Sequence, residues 1–357
     1  MSVILRLIIL LPYKASKFPL SLGLKLQGKG KINCSWSDLT WAATTVGRPG
    51  WAQVFQYGWY SSLEYIYRLA MIQANLRNTS SGLPRICKTA AFTGLDPSEK
   101  TAISYFIGLT VAKILSWKLF NAPWPQHLDK FAGSLTPNLK RRKRPDLLAQ
   151  DISGRWIVLE AKGRTNTMPA ETMKNAKTQT KAVGTVNGKS PYLRIAVGSY
   201  FMGQKLAAKL EDPPEGGQSA TLNISEERFF REYYAHVANF FLEQTREVQK
   251  VEFTRGLVFS IARIPEVDAS IGIAEPILTA YRTERELQNT ALGVAARLQR
   301  ETQLNTSDRV PPALAVGRYR GAYSSFTLGA DGIAVALGQS WSHEQMAREP
   351  EDRKLLR

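Results

Sequence analysis

The sequence predicts an α/β protein whose middle part holds a mixed central sheet flanked by helices. Three observations support this fold class. A helix with strong start signals comes first, two short apolar runs joined by turn residues follow it, and a further helix and strand come next. The order helix, strands, helix, strand is typical of an α/β domain.

Length and composition place this core within a larger globular chain. The 357 residues are enough for roughly two domains, and 44% hydrophobic with 22% charged residues is ordinary for a globular protein. Differences in residue composition and hydrophobic pattern divide the chain into three parts. Residues 1–92 and 204–357 are predicted to be α+β additions on either side of an α/β core at 93–203.

The N-terminal part, residues 1–92, is basic and rich in aromatic residues. It holds eleven Lys and Arg residues against two acids, so it carries +9 of the net charge of +17. The apolar run Val3–Leu11 is much shorter than the roughly 20 residues of a membrane-spanning helix, and Arg6 interrupts it. We therefore expect a first strand here and no membrane segment. Helical spacing of apolar residues predicts a helix near Ser61–Asn78.

The core elements are predicted in order along residues 93–203. Asp96-Pro97-Ser98-Glu99 has the N-cap, first-position proline and acidic partner of a helix start. Turn residues then separate two short apolar runs, which predicts a hairpin. The predicted elements after the first helix are strands near Arg144–Ala149 and Arg155–Ala161, a helix over Ala170–Val183 and a strand over Tyr192–Phe201.

The C-terminal part, residues 204–357, begins with a Pro- and Gly-rich loop. Its apolar periodicity alternates between helical and strand-like spacing, which predicts an α+β region. The predicted elements are a helix over Glu226–Val248, strand-like runs at Val251–Ile264 and Ile271–Arg282, a helix over Glu284–Thr302 and a hairpin at Phe326–Leu337.

Charge and cysteine content narrow the function classes. A net charge of +17 favours a polyanionic partner, either nucleic acid or an anionic membrane surface. The alternative is a basic protein that binds neither, and the charge favours nucleic acid over it. Only Cys34 and Cys87 occur, so there is no disulfide framework and no cysteine-based zinc pattern. The three histidines are scattered without metal-ligand spacing. We expect a cytoplasmic protein.

The predicted strand ending at Ala161 carries charges where a core strand is normally apolar. Side chains alternate along a strand, so Glu160 and Lys162 project from one side, about 7 Å apart. Pairing with the preceding strand brings Asp146 to the same point. Two close carboxylates repel each other, and a hard divalent cation such as Mg²⁺ or Mn²⁺ removes that repulsion. The alternative is a surface hairpin that ends in an ordinary Glu/Lys pair.

Pro145-Asp146, followed by Glu160-Ala161-Lys162 at the end of an apolar strand, resembles the PD-(D/E)xK nuclease superfamily and its restriction-endonuclease-like fold. The resemblance covers roughly residues 93–203. It implies that Asp146, Glu160 and the carbonyl of Ala161 bind the metal ion and that Lys162 assists the attacking water. The catalytic residues implied are thus Asp146, Glu160 and Lys162.

Further candidates surround this motif. Glu99 matches an acidic residue that many members of the superfamily carry on the preceding helix, where it reaches the same metal site. Glu99 is equally well placed to complete a capping box with Asp96. Gln179 matches a Gln or Lys that some members supply to the active site, although a Gln on a helix is more commonly a solvated side chain. Five consecutive cations precede Pro145 and form a predicted clamp on the nucleic-acid backbone: Lys140, Arg141, Arg142, Lys143 and Arg144.

The sequence therefore predicts a metal-dependent nuclease that acts on DNA, with restriction or anti-phage defence as the role implied by the resemblance. The rival hypothesis is a catalytically silent nucleic-acid-binding or assembly subunit that retains the fold. RNA as substrate, a protein partner and a homo-oligomer all stay open at this point.

Overall fold

The computed structural model of the chain describes residues 8–46, 59–79, 82–134, 144–212, 220–243, 247–254, 256–304 and 323–348. Its first elements, in chain order, are β1 (Ile9–Ser16), β2 (Gly28–Cys34), α1 (Trp36–Thr45), α2 (Trp59–Asn75), β3 (Leu76–Asn78), β4 (Ile86–Lys88), α3 (Ala90–Gly94), α4 (Pro97–Phe120), β5 (Gln126–His127), β6 (Leu147–Gln150), β7 (Trp156–Gly163), α5 (Ala170–Thr180) and β8 (Val183–Val186).

The remaining elements extend the central sheet and build a second one. They are β9 (Leu193–Met202), β10 (Lys205–Glu211), β11 (Ala220–Leu222), α6 (Glu226–Glu243), β12 (Val248–Thr254), β13 (Leu257–Ile264), β14 (Ala269–Ala274), α7 (Glu275–Thr283), α8 (Leu287–Leu304), β15 (Ser325–Leu328), β16 (Ile333–Leu337) and α9 (His343–Ala347).

A nine-stranded mixed sheet forms the centre of the molecule. Seven strands follow the order β2-β1-β10-β9-β7-β6-β5, and the β3–β4 hairpin joins through β4 to β10. The pairs β7–β9 and β1–β10 are parallel, whereas the other pairs in this sheet are antiparallel. The predicted α/β class with a mixed central sheet is therefore confirmed.

Helices α4 and α5 cover opposite faces of this sheet, and glycines mark both contacts. A Cβ atom on Gly163 of β7 would lie 1.7 Å from the backbone oxygen of Ser104 in α4. A Cβ atom on Gly198 of β9 would lie 2.8 Å from Sδ of Met173 in α5. Because Gly198 pairs with Lys162, the residue next to Gly163, the two glycines face opposite sides of the sheet.

The N-terminal hairpin is part of the same sheet. Strand β1 pairs in parallel with β10, and β10 pairs with β9 of the core. The central sheet therefore crosses both of the predicted boundaries, at 92/93 and 203/204. The first strand also lies further along than expected, at Ile9–Ser16 instead of within Val3–Leu11, of which residues 3–7 lie outside the described residues.

Helix α4 begins where the sequence predicts. The Asp96 side chain accepts hydrogen bonds from the amides of Ser98 and Glu99, and Asn121 ends the helix in the left-handed conformation. By length and apolar composition this helix is able to cross a membrane, but 67% of its most apolar window is buried inside the protein. That burial is the pattern of a core helix.

The β6–β7 hairpin also forms as predicted. Asp151 Oδ1 accepts hydrogen bonds from the amides of Ser153 (2.9 Å) and Arg155 (2.8 Å), and Gly154 adopts a positive φ of 78°. An aspartate and a glycine at these positions are what a tight turn requires. The turn sets the antiparallel register of the two strands, with Leu147 opposite Leu159.

The C-terminal part forms a five-stranded antiparallel sheet in the order β12-β13-β14-β16-β15. The predicted hairpin at Phe326–Leu337 is confirmed as β15–β16. The prediction of one strand over Ile271–Arg282 was wrong in its second half, because β14 ends at Ala274 and helix α7 follows. Pro276 lies in the first turn of α7, where a missing amide hydrogen costs nothing.

A buried polar network joins the three parts of the chain. Lys113 of α4 and Asp331 of the β15–β16 turn are both fully buried, with 3.6 Å between Nζ and Oδ2. The Lys113 ammonium also lies over the ring of Trp41 in α1, 4.2 Å from its centroid, and donates to the Tyr233 hydroxyl of α6. Trp41 Nε1 in turn donates to Asp331 Oδ1 at 3.0 Å.

Candidate active site

The β6–β7 hairpin holds two carboxylates side by side. Asp146 precedes β6 directly, and its amide donates to Glu160 Oε2 at 2.9 Å. The amide of Ala161 donates in turn to Asp146 Oδ2 at 3.0 Å. Each carboxylate is thus anchored by the backbone of the other's strand, so its position follows from the hairpin register.

Lys162 completes this group. Its Nζ donates to Glu160 Oε1, and both side chains lie on the face of the sheet that α5 covers. Glu160 is completely buried, whereas the Lys162 side chain is 29% exposed. The ammonium therefore lies between a buried carboxylate and the solvent, where a substrate would approach.

The electrostatics of the pair favour a cation. Burial raises the pKa of Glu160 to about 8, and the charge of Asp146 also raises it, while Lys162 acts in the opposite direction. Burial also raises the pKa of Asp146. A divalent cation between the two carboxylates would offset both effects, and oxygen donors of this kind are what Mg²⁺ and Mn²⁺ prefer. The donor chemistry therefore fits such an ion.

Asp146 and Glu160 are the acidic side chains that the hairpin brings together. In the part of the chain that the structure describes, there is no group of three or more His, Cys, Asp or Glu residues arranged to hold a metal ion. Metal binding by the carbonyl of Ala161 stays a prediction.

Glu99 lies at the start of α4 and is exposed. Its Oε2 accepts a hydrogen bond from the Asp96 amide at 3.4 Å, which completes the capping box. Of the two roles left open by the sequence, the structure displays the capping role. Metal binding by Glu99 stays a prediction.

Arg144 is the one member of the basic run within the described residues, because Lys140–Lys143 lie outside them. Its Nε donates to Asp129 Oδ1 at 2.7 Å, so the guanidinium already has an acidic partner. Gln179 of α5 donates to the Arg144 carbonyl at 3.1 Å. This contact fixes the backbone two residues before Asp146, which is a positioning role that the sequence did not suggest for Gln179.

Two residues near the carboxylates were missed at the level of sequence. Tyr105 of α4 and His127 of β5 are 3.3 Å apart, from the hydroxyl oxygen to Nε2. Burial raises the pKa of Tyr105, and the charges of Asp146 and Glu160 raise it further. Burial lowers the pKa of His127. No spacing or motif links these two residues to Asp146, so no sequence signal was available to find them.

A polar pocket opens beside Lys162. It has a volume of about 330 Å³ and lies between the end of β7 and one side of α5. Arg164 lies at its wall and donates to the Thr172 hydroxyl at 3.0 Å. Two cationic side chains and two side-chain amides suit an anionic group such as a phosphate. The lining residues are Lys162, Gly163, Arg164, Thr172, Asn175 and Gln179.

Together these observations define a mixed α/β protein with a carboxylate pair, of which Glu160 is fully buried, and a lysine at one end of a central hairpin. No family model matches the chain, and searches of curated proteins and of solved structures found no significant similarity. The function is therefore inferred from the geometry of the site.

Proposed function

We propose that the protein is a metal-dependent nuclease that hydrolyses phosphodiester bonds, with DNA as the favoured substrate. The observation that carries the proposal is the reciprocal anchoring of Asp146 and Glu160, with Lys162 bonded to the buried member of the pair. An ordinary surface hairpin gains nothing from burying a carboxylate next to a second one, since both pKa values rise.

The order of elements supports the same interpretation. Helix α4 precedes the antiparallel strands β5, β6 and β7. After α5 and the short strand β8, which belongs to a separate two-stranded sheet, the chain reaches β9, which pairs in parallel with β7. This helix–strands–helix–strand order is the one expected for a restriction-endonuclease-like core. It is consistent with the resemblance of Asp146, Glu160 and Lys162 to the PD-(D/E)xK motif.

In the proposed site, Asp146, Glu160 and the carbonyl of Ala161 would hold Mg²⁺ or Mn²⁺. When bound, such an ion supplies charge stabilisation for the phosphate and a more acidic water. Lys162 holds or polarises the attacking water through its ammonium group. Arg164, in the adjacent pocket, binds a phosphate of the substrate, and Gln179 keeps the chain before Asp146 in position.

The proposed compartment and cellular role rest on the cysteines, the net charge and the motif. Both cysteines are free and buried, which suits the reducing cytoplasm. The excess of cations suits a nucleic-acid substrate. A role in restriction or anti-phage defence is proposed from the motif resemblance alone.

The proposal is tested with Asp146→Asn and Glu160→Gln. Plasmid, linear and single-stranded DNA and RNA are incubated with the wild-type protein in Mg²⁺, Mn²⁺ or EDTA. We expect cleavage of DNA by the wild type with either metal, none in EDTA and none by either variant, because each variant loses a charged oxygen ligand. Stabilisation of the wild type by Mn²⁺ in a thermal melt should also be lost.

Both variants preserve the size of the side chain and keep one acceptor oxygen for the backbone amide that anchors it, so the hairpin should fold normally. Circular dichroism spectra that match the wild type serve as the control. Full cleavage activity in both variants would refute the assignment of the two carboxylates.

A further inference from the structure

A set of lysines lies on the surface of the central sheet outside the candidate active site. Lys14 of β1 pairs directly with Lys29 of β2 on one side and with Lys209 of β10 on the other. Lys31 lies two residues beyond Lys29 and so shares its face. Neighbouring strands are about 4.8 Å apart, so these four ammonium groups form one patch, which we call the lysine face.

The lysine face is on the same side of the sheet as the carboxylates. Lys209 pairs with Gly198, and Gly198 pairs with Lys162. Glu211, two residues after Lys209, contacts Lys177 of α5. Helix α5 packs on β7 and β9. The carboxylates lie on one side of α5, and the lysine face lies on the other.

The charge of the lysine face is largely uncompensated. Lys14, Lys29 and Lys31 are exposed, and none of them forms an ion pair with an acid among the described residues. Lys209 shares the single carboxylate of Glu211 with Lys17 and Lys177: the N–O distances are 2.9 Å for Lys209 and 3.5 Å for Lys17.

This arrangement works against folding. Like charges directly opposite each other on paired strands are destabilising. Lysines on an edge strand protect a sheet from pairing with other chains, and this accounts for Lys29 and Lys31 on edge strand β2. Edge protection does not account for Lys14 and Lys209, because β1 and β10 are interior strands. A polyanion bound across the patch would offset the repulsion.

We propose that the lysine face binds the phosphate backbone of a polymeric nucleic acid while Asp146, Glu160 and Lys162 act on one of its phosphodiester bonds. This inference rests on the proposed function and adds the requirement for a long substrate. From Lys29 to Lys162 there are four strand spacings, about 19 Å. One strand of DNA carries about six phosphates over that length, so the substrate reaches both sides of α5.

The test compares two triple variants that remove the same charge. Lys14→Gln, Lys29→Gln and Lys31→Gln neutralise the lysine face, and Lys250→Gln, Arg263→Gln and Arg282→Gln neutralise exposed cations in β12, β13 and α7. Binding of a short fluorescein-labelled DNA duplex is measured in Ca²⁺ over a series of KCl concentrations. Hydrolysis of bis(p-nitrophenyl) phosphate is measured in Mn²⁺.

For the lysine-face variant we expect weaker duplex binding and a smaller dependence of log affinity on log salt, by about 0.9 for each phosphate that the protein no longer neutralises. Hydrolysis of bis(p-nitrophenyl) phosphate should match the wild type, because this substrate is too small to reach the lysine face. The control variant should bind the duplex with nearly the wild-type slope. The single variant Lys14→Gln, on an interior strand, should lower the slope by the amount expected for one phosphate.

Three results would overturn the inference. The first is an unchanged slope in the lysine-face variant, and the second is an equal reduction of the slope in the control variant. The third is that the lysine-face variant loses binding to phosphatidylserine vesicles while its duplex binding stays intact. Aggregation of the variant with intact duplex binding would indicate edge protection alone and would also overturn it. A wild type that binds through the lysine face but never cleaves would refute the proposed function and leave only nucleic-acid binding by the lysine face standing. Cleavage by the wild type together with an unchanged slope in the lysine-face variant would support the proposed function and refute this inference.

Discussion

Glu160 is fully buried, yet it retains three polar neighbours: the Asp146 amide, the Lys162 ammonium and the Asp146 carboxylate. Two of these stabilise its ionised form and the third opposes it. Since burial dominates, the pKa of Glu160 rises to about 8. At the residue scale, the site therefore holds a proton or a cation more readily than an uncompensated pair of negative charges.

Substitution of Lys162 distinguishes the nuclease hypothesis from the hypothesis of a catalytically silent subunit. Lys162→Met should cut the cleavage rate by about 10²–10⁴, the range for a group that activates water. Duplex binding in Ca²⁺ should persist, because Lys162 is not a proposed metal ligand. The measurement is a single-turnover cleavage rate beside a binding isotherm for the wild type and the variant.

Exposed Lys189 gives a matched control, since Lys189→Met removes the same charge away from the site. Its cleavage rate should equal that of the wild type. A wild type that binds nucleic acid but does not cleave it under any metal condition would favour the silent subunit instead.

At the element scale, the packing of α4 against β7 is unusually close. Gly163 has no room for a side chain, because a Cβ atom there would lie 1.7 Å from the Ser104 backbone oxygen. Gly108 of α4 is also tightly packed, with its Cβ position 3.0 Å from the Gly163 nitrogen. This pair of glycines lets the helix lie directly against the strand that carries Glu160 and Lys162.

Gly163→Ala should therefore push α4 away from β7. We expect a loss of about 1–3 kcal/mol in the free energy of unfolding, which is typical of overpacking, and lower cleavage activity because Lys162 is the adjacent residue. Urea denaturation measures the first effect. The control is Gly293→Ala, an exposed site in α8 with open space, where alanine should add about 0.5–1 kcal/mol of stability. A wild-type urea midpoint for Gly163→Ala would contradict this close packing.

At the scale of the whole molecule, Lys113 of α4 contacts residues from the N-terminal and C-terminal parts of the chain. Burial lowers its pKa from 10.5 to about 7, although Asp331 opposes this shift. Trp41, Tyr233 and Asp331 surround it from α1, α6 and the β15–β16 turn. The network connects elements that are distant in sequence, so its loss should affect unfolding of the entire chain.

The pH dependence of stability follows from the Lys113 shift. The unfolded chain keeps the proton up to about pH 10.4, whereas the folded chain releases it above about pH 7. Unfolding thus takes up a proton in this interval, and stability contributed by Lys113 rises with pH from about 7 upward. Lys113→Met should reduce that rise, measured as the change in urea midpoint with pH. Exposed Lys250→Met should keep it, and a wild-type pH dependence in Lys113→Met would contradict the assignment.

Local sequence determined the elements whose signals lie within a few residues of one another. The capping box at Asp96 and Glu99, the turn at Asp151 and Gly154, and the short hairpin that joins Asp146 to Glu160 were all predicted correctly as local structure. The proximity of the carboxylates was accessible for the same reason, because one turn sets the hairpin register. The strand predicted over Ile271–Arg282 was wrong from Glu275 onward, where α7 begins, because an apolar run alone does not distinguish strand from helix.

Tertiary structure alone decided the contacts between distant segments. Tyr105 meets His127 only after α4 packs beside β5, and Lys14 meets Lys209 only when the N-terminal hairpin joins β10. Strand partners are selected by the burial of whole sheet faces, which depends on every element at once. Periodicity within a segment reports which face is apolar but not which strand will lie next to it. For that reason the sequence by itself determined the carboxylate pair and its lysine, whereas the lysine face became visible only in the assembled sheet.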